Sequence, residues 1–158
     1  MDLLIRKIRP EEYQLLDSFL YEAIFIPEGC ELPDKSIVNS PELQIYVDRF
    51  GEFPDDKCLV AEVSNKIVGA VWTRIMNDYG HLDNDTPSFA ISLYKEYRGY
   101  GIGTDLMKQM LALLKSSGYS RASLSVNKEN YAAKMYQKLG FQIIRENDDD
   151  YLMAIDLN

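Results

Sequence analysis

At 158 residues, 46% hydrophobic and 27% charged, the chain can bury one core of ordinary size but not two, so a single domain over residues 1–158 is expected. A formal net charge of −8 excludes a general nucleic-acid surface, which needs clustered Lys and Arg, and leaves room only for a local anion site. The opening MDLLIRKIRP has no apolar secretion core, no later apolar run nears the roughly 18 residues that cross a bilayer, and Cys30, Cys58 and the single His81 share no disulfide or zinc spacing, so no membrane, no metal and a reducing cytoplasm are expected.

Residues 3–9 (LLIRKIR) read as a first strand, and Pro10-Glu11-Glu12 opens a helix, where a missing N–H costs nothing and acids face the positive dipole end. Pro27, Gly29, Pro33 and Pro41 mark a loop or short helix, and residues 41–50 read as a second helix with Leu43, Tyr46, Val47 and Phe50 on one side. CLVAEV (58–63) and KIVGAVWTRI (66–75) are rich in β-branched and aromatic residues and read as a hairpin turned by Ser64-Asn65. SFAISLY (88–94) is a further strand. After it Ile102, Leu106, Met110 and Leu113 recur at spacings of four, four and three, the apolar stripe of a helix ending before Gly118. ASLSV (122–126) gives another strand, Asn130 caps a helix NYAAKMYQKL that Gly140 stops, and FQIIRE and YLMAIDL flank the polar turn Asn147-Asp148-Asp149-Asp150. The order β, α, α, β, β, β, α, β, α, β, β predicts a mixed α/β (α+β) fold.

Between the strand at 88–94 and the helix at 102 lies Tyr97-Arg98-Gly99-Tyr100-Gly101-Ile102-Gly103-Thr104. Glycine permits the tight and left-handed conformations that let successive N–H groups converge on one anion, and a following helix adds orphan N–H groups and its positive dipole end. The spacing is neither that of a dinucleotide fingerprint nor that of a Walker loop. It is Arg98-x-x-Gly101-x-Gly103.

That pattern resembles the pyrophosphate loop, [RQ]-x-x-G-x-[GA], of the GNAT superfamily of acyl-CoA-dependent N-acetyltransferases. A second segment, Asn127 to Phe141 (NKENYAAKMYQKLGF), resembles the other signature of that family, at Asn130, Ala133, Tyr136 and Gly140-Phe141. The resemblance covers residues 58–158 well, and one departure is Lys95, where many members carry proline. It implies a central, mostly antiparallel twisted sheet flanked by helices and splayed between the strands near 88–94 and 122–127. It further implies an acyl-CoA-binding part at about 88–141 and an acceptor-shaping part at about 10–55.

Residue by residue, the resemblance implies that the backbone of Arg98, Gly99, Tyr100, Gly101, Ile102, Gly103 and Thr104 holds the pyrophosphate of acetyl-CoA. Leu93 would bond the pantetheine arm through its backbone, with Asn127 and Asn130 nearby and the small Ala133 leaving room. Tyr136 is the candidate general acid: acetyl transfer to an amine expels a thiolate, and a phenol held near the sulfur can protonate it. Asp85, at the head of the strand leading to the loop, stands where some members place a catalytic Glu and is a candidate general base. The stretch GHLDNDTPS also offers His81 and Asp83, and Asp83-Asn84-Asp85 reads equally as a polar turn.

The expected partners are acetyl-CoA and a primary amine acceptor, with no nucleic acid and no membrane, and an edge strand near the C-terminus is a candidate homodimer contact. Glu22, Glu28, Glu31 and Asp34 hint at a cationic acceptor, although an acidic chain carries such residues everywhere. Direct attack without a covalent enzyme intermediate is expected, since neither cysteine falls in a signature. Transfer to a small amine, transfer to a peptide or protein, and a non-catalytic acyl-CoA sensor are the readings left open.

Overall fold

The computed structural model describes residues 1–158. Seven strands form one sheet: β1 (Leu3–Lys7), β2 (Lys57–Val63), β3 (Lys66–Arg74), β4 (Ser88–Leu93), β5 (Arg121–Asn127), β6 (Gln142–Glu146) and β7 (Asp150–Asp156). Their spatial order is β1-β2-β3-β4-β5-β7-β6. Every neighbouring pair is antiparallel except β4 and β5, which run parallel.

Local chemistry accounts for most boundaries. The β2–β3 hairpin turns through Ser64 and Asn65, both at positive φ (50° and 69°), the backbone shape that matches strand twist in a two-residue turn. Helix α3 (Ile102–Ser116) buries Ile102, Leu106, Met107, Met110 and Leu114, a stripe at helical spacing, against one face of the sheet. Helix α1 (Leu15–Ala23) buries Leu16, Phe19 and Leu20 in a separate cluster with Val60, Ala70 and Trp72 on the opposite face. Helix α4 (Ala132–Leu139) packs with the α3 cluster, and Gly140 ends it.

Two helices differ from the expectation. Pro10-Glu11-Glu12 forms a single 3₁₀ turn, and α1 begins only at Leu15. The helix expected over 41–50 stops at Gln44, giving the short α2 (Pro41–Gln44), with turns beyond it. Tertiary hydrogen bonds explain the stop. Arg74 Nη1 donates to the carbonyls of Ile45 and Asp48, both at 3.0 Å, and Trp72 Nε1 donates to that of Tyr46 at 3.0 Å. Carbonyls that a longer helix would spend on its next turn thus go to side chains of β3.

Along β4, Phe89, Ile91 and Leu93 face the α3 cluster, while Ala90 packs on the α1 side and Ser92 Oγ donates to the Phe19 carbonyl of α1 at 2.6 Å. The strands β4 and β5 meet in register at one pair, Ser88 and Ser123. From there they diverge toward Leu93 and Asn127, and the splay expected between these strands is present. Tyr94 N–H donates to Val68 O at 2.9 Å, so even-numbered residues bond toward β3. By that parity the backbone groups of Ile91 and Leu93 point into the cleft, where no strand pairs with them.

Candidate active site

A groove runs through this cleft. Its walls come from both faces of the sheet: Tyr21 to Ile26 at the end of α1, Ile91 to Leu93 of β4, Arg98 and Gly103 of the loop, and Asn130, Ala132, Met135 and Tyr136 around α4. At its mouth sits the glycine loop. Gly99 and Gly101 have φ of +85° and +84°, and a Cβ built on either meets nothing within 4 Å. The N–H groups of residues 99 to 104 donate to no carbonyl or side chain of the protein, and the α3 ladder begins only with Asp105 N–H to Gly101 O at 3.1 Å. Six consecutive free amides, opening onto empty space at a helix N-terminus, form an anion cradle. The loop therefore fits a pyrophosphate by its own geometry.

Arg98 closes one side of the groove. Its Nε donates to Leu93 O at 3.1 Å, and its Nη2 reaches the carbonyl of Glu22 at 3.3 Å and Glu22 Oε2 at 3.2 Å, tying the loop to the end of α1. Leu93 keeps its N–H directed into the cleft, which leaves a donor for an extended ligand lying beside β4.

Asn130 does two things. Its Oδ1 accepts from Ala132 N–H at 2.9 Å and its carbonyl from Ala133 N–H at 3.1 Å, so it caps α4, while its amide nitrogen has no protein acceptor and the residue lines the groove. Asn127 Oδ1 accepts from Glu129 N–H at 2.9 Å and sets the preceding turn, without lining the groove. Ala133 faces a shallow neighbouring depression with Lys134 and Gln137. It is Ala132 that shares the groove with Tyr136, because residues four apart lie on one side of a helix.

Tyr136 is buried, its ring edge-on to Phe141 at 5.9 Å, and its hydroxyl makes no hydrogen bond within the protein. Burial pushes the phenol well above its ordinary pKa, so it stays protonated at neutral pH. Asp85 is elsewhere. It is exposed on the turn before β4, its N–H donating to Asp83 Oδ1 at 2.9 Å, and it does not line the groove. Asp83 is held down to about 2 by Thr86, by the Asp85 N–H and by Arg121. These bonds make the segment a built turn. No group of three or more His, Cys, Asp or Glu side chains is placed to hold a metal ion, and no helix is long and apolar enough to cross a membrane.

The family model described as the acetyltransferase (GNAT) family matches residues 21–141, more than half of the chain. The chain belongs to the GNAT family. Among its GNAT relatives, an acetyltransferase of Sodalis glossinidius is 30% identical over 141 residues, covering 88% of this chain and 87% of that protein. The N-acetyltransferase YobR of Bacillus subtilis is 36% identical over 104 residues, and the match takes in 65% of this chain but only 40% of the relative's length. In fold, this GNAT chain superimposes on the PaiA N-acetyltransferase of Thermoplasma acidophilum, solved in complex with coenzyme A, with a TM-score of 0.73 and 20% identity over 99% of each chain.

One polar residue of the β3–β4 connection, outside the groove, carried no distinctive signal in the sequence. Asp78 sits in Asn77-Asp78-Tyr79-Gly80, a string that reads as a turn, yet the fold brings it to Ser88, whose Oγ donates to Asp78 Oδ1 at 3.0 Å.

Proposed function

We propose that this protein transfers an acetyl group from acetyl-CoA to a primary amine of a small-molecule acceptor by direct attack. The observation that carries this reading is the run of six unpaired amides at 99–104, set at the mouth of a cleft whose far wall presents the buried phenol of Tyr136. The amides of Gly99 to Thr104 take the pyrophosphate. The N–H of Leu93 and the amide of Asn130 take the pantetheine arm. Acetyl-CoA supplies the activated acyl group, and Tyr136 supplies the proton that the departing sulfur needs. No cysteine stands in the groove, which supports direct transfer over a covalent enzyme intermediate.

The test is a screen of amines monitored by free thiol release, with calorimetry of coenzyme A binding alongside. Thiol release with at least one small amine is expected. Release with peptides alone would move the acceptor to a protein N-terminus or lysine, and binding without release with any acceptor would make the protein an acyl-CoA sensor.

A further inference from the structure

One wall of the groove has no task in holding acetyl-CoA. The loop amides, the Leu93 N–H, Asn130 and Tyr136 all serve the cofactor, and the wall they leave over is built where α1 ends. That helix packs on the sheet face opposite the cluster containing Tyr136. It stops as Ile24 turns extended (φ −68°, ψ 121°), and the chain reverses at Pro27–Cys30, where Cys30 N–H donates to Pro27 O at 3.1 Å and Gly29 has φ +84°. The Tyr21 hydroxyl then donates to Pro33 O at 2.6 Å and ties the returning segment to α1. Residues 24–26 and 32–33 are thereby brought to the same groove.

This wall is apolar and carries no free charge. Ile24, Phe25, Ile26 and Leu32 line the groove, yet none of them packs into either core cluster, and Leu32 is 73% exposed. Apolar side chains left out of the core and gathered along one cleft are what the apolar body of a ligand covers. The acids of this region are not free to answer an ammonium in the groove. Glu22 gives its carboxylate to Arg98 Nη2 at 3.2 Å, and Glu28, Glu31 and Asp34 are exposed outside the groove. The other charged side chains of the groove, Lys95 and Glu96, stand on the turn Lys95–Tyr97 that leads into the amide cradle. An ammonium laid along residues 24–33 would lose its water and meet no counter-charge, which is costly, whereas a hydrocarbon laid there is stabilised by leaving water.

We propose that Ile24, Phe25, Ile26 and Leu32 form the acceptor's side of the groove and select a primary amine with a single charge and a hydrocarbon body over a polyamine. The assignment rests on the acetyltransferase reading above and narrows its acceptor. The amine nitrogen sits at the split between β4 and β5, and its hydrocarbon lies along Phe25, Ile26 and Leu32. Selection then follows the apolar area covered, at about fourfold in kcat/KM for each methylene withdrawn from water, and a second ammonium on the same body counts against binding.

The experiment measures kcat/KM by thiol release for n-alkylamines from ethylamine to pentylamine and for 1,4-diaminobutane, which matches pentylamine in length and adds a second ammonium. The parent, Phe25→Ala and Leu32→Glu are compared, each with a thermal melt and coenzyme A calorimetry. In the parent, kcat/KM should rise about fourfold per methylene, and pentylamine should exceed the diamine by about 100-fold. Phe25→Ala should flatten the rise while coenzyme A affinity holds. Leu32→Glu changes a largely exposed residue, places a carboxylate in the wall, and should cut the preference for pentylamine over the diamine about tenfold. This variant decides the matter if Phe25→Ala does not fold. Parental rates flat in chain length, a diamine as good as pentylamine, an undiminished rise in folded Phe25→Ala, or an unchanged preference in Leu32→Glu each overturn the assignment. So does a parent that prefers octanoyl-CoA to acetyl-CoA and loses that preference in Leu32→Glu, since the wall would then hold the acyl chain. A parent that binds coenzyme A but releases thiol with no amine overturns the enzymatic reading itself, and this proposal with it, whereas turnover indifferent to chain length overturns this proposal alone.

Discussion

Ser88 and Ser123 are the one pair across which β4 and β5 lie in register, and the cleft opens because nothing holds the two strands together beyond it. Ser123 is fully buried. Its N–H donates to Pro87 O at 3.0 Å and its hydroxyl to Gly80 O at 2.6 Å, so one residue pins both the middle and the end of the β3–β4 connection.

Ser123→Ala should therefore destabilise the fold by about 1–3 kcal/mol, since it strands the buried Gly80 carbonyl without its donor. Urea unfolding measures this. A midpoint equal to the parent's would show that the carbonyl finds another partner.

Gly101→Val tests the cradle. At φ +84° a β-branched residue carries strain of about 1–2 kcal/mol, but its side chain enters open space, so the fold should persist. That space is where a phosphate would approach the amides. Coenzyme A affinity should fall by about 100-fold, or roughly 2.7 kcal/mol, in calorimetry, and a folded variant that binds like the parent would refute the cradle.

Tyr136→Phe keeps the edge-on packing against Phe141 and removes only the hydroxyl. Because that hydroxyl bonds nothing in the protein, the melting temperature and coenzyme A affinity should hold, while turnover drops by about 100-fold to 10,000-fold. The loss should shrink for thioesters with better leaving thiols. Parental turnover with chemistry rate-limiting would reduce Tyr136 to a packing residue.

Acid stability should report on Arg6 and Glu12. Two hydrogen bonds from Arg6, at 2.9 and 2.8 Å, together with the Arg9 N–H, hold the half-buried Glu12 carboxyl down to about 2. A depressed carboxyl contributes stability above its unfolded pKa of about 4.3, and that contribution drains away as pH falls toward 2. Thermal melts from neutral to acid pH should show a steeper loss in the parent than in Glu12→Gln, and parallel curves would remove the pair from the account.

Much of the site was legible because its chemistry is local. The glycine loop, the stripe of α3, the Asn130 cap and the placing of Tyr136 four residues after the start of α4 all follow from spacings within one turn or one helix. Longer-range competition was not legible. Nothing near Pro41–Phe50 announces that Arg74 and Trp72 will take the carbonyls that end α2, and the choice of Ala132 over Ala133 as groove wall depended on how α4 is rotated against β5.

By itself the sequence determined the order of elements, the mixed α/β class and the anion loop, since turn chemistry, apolar period and glycine conformation act over a few residues. The tertiary structure alone decided how far each acid of the β3–β4 connection is withdrawn from water. Asp78 and Asp85 lie in the same connection, but Asp78 is half-buried and accepts from Ser88 Oγ, while hydrogen bonds to Asp83 hold the exposed Asp85 turn at the surface. Burial is a property of what packs on a residue from afar, and no local pattern encodes it.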